Sequence, residues 1–140
     1  MSTPSPPISA EVPRVDESLV TYTHVIYALH TLSVVIGITT FHIVFSFIWS
    51  LPSIIAVIMN YARRSATHGT YLESHFRWQI RTFWYALLWS VIIAVVSAPL
   101  VLVLIGIPLL YLGFLMLGIW IIYRVARGWL ALKDRRPMYV

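Results

Sequence analysis

Chemistry has few places to live in this chain. There is no cysteine, which removes disulfides, thiol catalysis, iron–sulfur clusters and thiolate zinc sites. The five histidines are His24, His30, His42, His68 and His75, and they show no metal-ligand spacing. His30 is the one titratable side chain deep within an apolar segment, on a helical face shared with Thr23, Ser33 and Gly37. Two uses compete for it: ligation of haem or a metal, and a hydrogen bond to a neighbouring helix. Bis-histidine ligation needs a second His at matching depth, and the other apolar segments offer none. The hydrogen bond is therefore the expected use, and no cofactor is expected. A serine nucleophile would need a base in reach, and only His30 could supply one. No Asp or Glu falls at membrane depth, so a carboxylate proton relay and an intramembrane aspartate pair are both missing. The residues give no enzyme.

Small and hydroxyl residues recur at helical spacing. Ser46, Ser50, Ser53 and Asn60 fall on one face about 80° wide, and Ser90, Ala94 and Ala98 are four apart. Such stripes let helices approach closely, or line a polar conduit. Packing is the expected use, because so small a bundle has little interior to spare.

These residues sit in two stretches without Asp, Glu, Lys or Arg: Ser18 to Ala62, 45 residues, and Thr82 to Tyr123, 42 residues. A bilayer crossing needs about 20 apolar residues. A straight helix of the first stretch would be roughly 67 Å long, against a hydrocarbon core of about 30 Å. Each stretch is thus expected to fold as a helical hairpin. Overall charged content is 11%, where a soluble domain carries about 25%. Nine of the ten basic residues form two clusters flanking the apolar stretches: Arg63, Arg64, Arg77 and Arg81, then Arg124, Arg127, Lys133, Arg135 and Arg136. That distribution fits topology determinants facing anionic lipid, and not a nucleic-acid surface.

The reading is an all-α integral membrane protein, a bundle of four transmembrane helices. Residues 1–17, Pro-rich and polar, are expected to be a disordered cytoplasmic tail and not a secretory signal. Residues 18–132 form the membrane domain and 133–140 a basic cytoplasmic tail. Span one covers Leu19 to Ile38, with an outer turn at Gly37–Phe41. Span two runs from Phe41 to Tyr61, with a kink near Ser50–Pro52. Tyr71 to Tyr85 forms an amphipathic helix at the cytoplasmic interface. Glu73, Arg77 and Arg81 share one of its faces, with His75, Trp78, Thr82 and Tyr85 opposite. Span three follows, with Pro99 as a kink and Gly106–Pro108 as the favoured outer turn over Ser97–Pro99. Span four runs from Pro108 to Gly128. Both termini are cytoplasmic by the positive-inside rule.

The motifs GTYLESHFRWQIRTFWYALLWS (Gly69 to Ser90) and YRVARGWLALKDRRPM (Tyr123 to Met138) resemble a domain-of-unknown-function family of small bacterial inner-membrane proteins. That family is distantly similar to the membrane component of the chloroplast inner-envelope import translocon. The likeness covers about residues 24–138, and Ile38 to Ser50 is longer than the family's usual first hairpin. It implies four helices and carries over no catalytic residue. The expected role is a non-enzymatic scaffold or accessory subunit of a membrane complex, or a homo-oligomer. A channel or translocation component and an anionic-lipid-binding protein are the alternatives. Partner or lipid contacts are expected at the rim of Glu73, Arg77, Trp78, Arg81, Arg124 and Arg127. Helix packing is expected through His30, Ser46, Ser50, Ser53, Ser90, Ala94 and Ala98.

Overall fold

A computed structural model describes residues 14–39 and 46–138. Four α-helices make up the fold: α1, Glu17–Thr39; α2, Ser46–Arg63; α3, Leu72–Leu100; and α4, Gly106–Lys133. No strand occurs among the described residues. Three segments are long and apolar enough to cross a membrane: Glu17–Gly37, Leu72–Val103 and Gly106–Lys133.

Local chemistry sets most of the helix ends. Asp16 starts α1 by accepting the Ser18 N–H on its carboxylate at 2.9 Å, while its carbonyl takes the amides of Leu19 and Val20. The Ser18 hydrogen bonds hold the Asp16 carboxyl below its usual range. The helix then runs through Gly37 to Thr39, so the expected turn residues Gly37 and Thr39 are helical. Apolar side chains on both sides of Gly37 keep the helix going, since the unsatisfied backbone of an earlier turn would be costly in an apolar setting. The rest of that expected turn, and the start of span two, lie outside the described residues. Helix α2 continues through Pro52. Arg63 ends α2 over the Tyr22 ring, and the Tyr22 hydroxyl donates to the Met59 carbonyl at 3.0 Å, clipping α1 to α2.

A single 3-10 turn at Arg64–Thr67 leads to Gly69, whose φ of 75° is open to glycine at no steric cost. Its N–H reaches Glu73 at 3.2 Å, capping α3. From Leu72 to Leu100 α3 is unbroken, so the amphipathic segment and the third span are one helix. The connection to α4 falls between the two breaks read from the sequence. Helix α3 stops one residue after Pro99, Val101–Val103 make a 3-10 turn, and Leu104 turns the chain with φ 62°. Pro99 thus closes a helix instead of kinking one, and Gly106 opens α4 with Pro108 in its first turn. A Cβ on Gly106 would overlap the backbone at Ser97, Leu100 and Val101, so only glycine allows so tight a passage. Proline belongs in a first turn, where its missing N–H would have had no helical partner.

Two apolar clusters form the core. Leu19, Val20, Tyr27, Leu72, Val125 and Leu132 make one, and Ile26, Ala56 and Phe76 the other. All nine come from the first half of α1, the middle of α2, the start of α3 and the latter half of α4. Beyond this end α3 and α4 touch chiefly each other, as where Gly113 admits the Ile93 side chain.

Candidate functional site

Polar and aromatic groups converge at the packed end, around His75. It lies in the first turn of α3 beside Leu72 and Phe76, and its ring is fully buried. Nε2 is 2.8 Å from the Arg136 carbonyl and Nδ1 is 3.0 Å from the Tyr27 hydroxyl. A carbonyl only accepts, so Nε2 carries the proton and Nδ1 takes the hydrogen bond Tyr27 donates. Both nitrogens are committed to structure, one to α1 and one to the segment after α4. The Tyr27 ring stands edge-on to His75 and stacks along Trp129, with centroids 6.5 Å apart. Trp129 donates its indole N–H to His24 Nδ1 at 3.0 Å. Gly128 provides the room, because a Cβ there would overlap the Tyr27 ring.

A second layer lies one turn along α3. The Trp78 indole donates to the Arg124 carbonyl at 3.1 Å, and Arg124 Nε donates to Thr82 Oγ1 at 2.7 Å. Thr82 passes its own proton to the Trp78 carbonyl at 2.7 Å. The Arg124 guanidinium sits 3.6 Å from the Trp78 ring centroid and 5.1 Å from that of Trp120. Arg127 is 5.9 Å from the same Trp78 ring and donates to the Tyr123 hydroxyl at 2.9 Å.

Deeper in, His30 Nδ1 meets Ser53 Oγ at 3.3 Å, across α1 and α2. His30 Nε2, the Gln79 amide and the Asn60 amide are buried without a hydrogen-bond partner. Beside His30 and Gln79 lies a void of about 10 Å³, lined also by Tyr27, Trp78, Thr82, Arg124 and Val125, room for a single water. Ser53 and His30 have the residue types of a nucleophile and base. No acid orients the imidazole among the described residues, and the hydrogen bond links α1 to α2.

The residues read as one rim separate into two groups. Glu73 pairs with Arg77 at 3.1 Å and His68 at 3.5 Å, whereas Arg124 and Arg127 lie against the Trp78 ring, with Arg81 an electrostatic neighbour of Arg124. Opposite the charged face, His75, Trp78 and Thr82 are buried, but Tyr85 is exposed. Of the small residues on α3, Ala94 and Ala98 are exposed and Ser90 half-buried. The side chains of Ser46 and Ser50 lie outside the described residues. Tyr27, Gln79, Gly128 and Trp129 were not singled out as site residues. Tyr27 had a usable signal, being four residues after Thr23 and three before His30 on one helical face.

No family model matches the chain, and no curated protein or solved structure is significantly similar to it.

Proposed function

We propose that this chain is a non-catalytic, four-span membrane bundle that works by association, as a small scaffold or accessory subunit of a membrane complex. The observation that carries this is the outer part of α3 and α4. Ala94, Val95, Val96, Ala98, Leu112, Leu115, Met116 and Ile119 are all exposed among the described residues, with Ser90 half-buried on the same stripe as Ala94 and Ala98. Small residues at a period of four are the means by which membrane helices approach closely. In this reading α2 is the fourth span. The two helical pairs are hairpins. The arginine-rich ends of both face the cytoplasm of a bacterial inner membrane. The resemblance to small bacterial inner-membrane proteins supports the same reading. The water-sized void weighs against a conduit within one copy.

Blue-native electrophoresis of the full chain in a gentle detergent tests this. A complex with a second membrane protein, or a discrete oligomer, is the expected result. A monomer alone, in detergents that preserve known membrane complexes, would refute it.

A further inference from the structure

Two arginines lie against one indole at the base of α3 and α4, and a third stands near them. Arg124 lies flat on Trp78 at 3.6 Å, Arg127 approaches the same ring at 5.9 Å, and Arg81 follows Trp78 by three residues on α3. Arg81 and Arg127 are both electrostatic neighbours of Arg124. Among the described residues Arg124 has its acceptor, Thr82, at Nε, and Arg127 spends one nitrogen on Tyr123.

No carboxylate pairs with any of the three among the described residues. The nearby acids are engaged elsewhere: Glu73 with Arg77, Glu17 with Arg135 and Asp134 with Arg136. Like charges so placed repel, and the cost grows where water is partly excluded. An anion with several acceptor oxygens would relieve it, because guanidinium groups match phosphate in geometry as well as charge.

The depth of the cluster indicates where the anion comes from. Arg81 and Arg124 bracket the 42 residues without charge, Thr82 to Tyr123, and the Thr82–Arg124 hydrogen bond puts both ends of that stretch at one level. Cations and aromatics at the end of an apolar helical pair lie at headgroup depth. Tyr85, exposed one turn along α3 from Arg81, is a further donor at this level.

We propose that Arg81, Arg124 and Arg127 form a binding site for the phosphodiester of an anionic phospholipid, with Trp78 as the platform that fixes Arg124. A net negative headgroup suits the site better than a zwitterionic one, whose ammonium would meet three guanidinium groups. The proposal rests on the membrane placement given above, and not on association with a partner.

The test is native mass spectrometry of the detergent-purified full chain, with phosphatidylglycerol and phosphatidylcholine of matched acyl chains. Wild type is expected to retain phosphatidylglycerol roughly tenfold more strongly than phosphatidylcholine. Arg81→Gln with Arg127→Gln should reduce that retention about tenfold, the loss of two charge-assisted contacts. Arg77→Gln, whose partner is Glu73, should leave it unchanged. Each single variant should show part of the loss, which keeps the test readable if the double variant misfolds. Equal retention of the two lipids, or full retention by the variants, would overturn the site. Displacement of lipid by millimolar inorganic phosphate would assign it to a soluble anion instead. Blue-native mobility separates the outcomes, since a lost lipid with unchanged assembly leaves the scaffold reading standing.

Discussion

Arg124 Nε donates to Thr82 Oγ1 at 2.7 Å across 42 positions of sequence, joining the two ends of the uncharged stretch that α3 and α4 share. The threonine is both acceptor and donor, since its own proton goes to the Trp78 carbonyl. Thr82→Val keeps the shape and removes the acceptor, leaving a half-buried guanidinium N–H unpaired. The expected loss is about 1–3 kcal/mol, read as a lower thermal midpoint in detergent. Thr82→Ser keeps the oxygen and should recover most of it. A valine variant as stable as wild type would show that the link contributes nothing.

His75 ties the C-terminal segment to the bundle as well as to α1. Tyr27→Phe strands Nδ1 in a buried setting and should cost about 1–3 kcal/mol while leaving the Arg136 contact in place. His75→Leu breaks both contacts. Met138, whose N–H bonds Ser74 Oγ at 2.8 Å, should loosen with it. Trypsin cleavage after Arg135 is therefore expected to speed up in His75→Leu and to change little in Tyr27→Phe. Equal rates in both variants would mean that His75 does not hold the tail.

Two glycines in α4 should respond in opposite directions. At Gly128 a methyl group would overlap the Tyr27 ring, whereas at Gly118 it would meet nothing within 4 Å. Gly128→Ala must push Tyr27 away from His75, an overpacking that costs roughly 1–3 kcal/mol. Gly118→Ala should gain about 0.5–1 kcal/mol from helix propensity alone. Thermal midpoints of the two variants in one detergent give the comparison, and a shared sign would refute the packing around Tyr27.

The long elements were legible because the energy behind them is large and local. A charge in hydrocarbon is expensive, so the absence of charge from Thr82 to Tyr123 marks the apolar parts of α3 and α4, while the charged ends of both helices run on beyond it. The turn between them was bracketed but not placed. Pro99 and Gly106 are both punctuation, and which closes α3 depends on a backbone contact between Ser97 and Gly106 that has no period in the sequence. The rim shows the same limit. The i, i+4 spacing of Glu73 and Arg77 announces their ion pair, but the meeting of Arg124 with Trp78 and Thr82 follows from the register of α3 against α4. His30 was readable as a hydrogen-bonded residue, and its partner Ser53 lay on the predicted face of α2. The exposure of Ala94 and Ala98 was not readable, since a stripe of small residues says that a helix can be approached and not by which neighbour.

The turn between α3 and α4 carries a strain that glycine would relieve. Leu104 holds φ 62° and ψ −7° with its side chain 74% exposed, so no packing inside the chain repays the left-handed backbone. That conformation costs an ordinary residue about 1–2 kcal/mol. Leu104→Gly removes the cost, although the more flexible unfolded chain returns part of the gain. A net stabilisation of about 0.5–1 kcal/mol is expected. Leu104→Val, β-branched and less tolerant of positive φ, should destabilise instead. Gly106→Ala, two residues on, should be worse than either, because its methyl group meets rigid backbone and not a mobile side chain. The order of thermal midpoints, glycine at 104 above wild type, then valine at 104, then alanine at 106, checks the geometry of the turn. A wild type more stable than Leu104→Gly would mean that the exposed leucine is held by lipid or by a partner, and that the strain is repaid outside the chain.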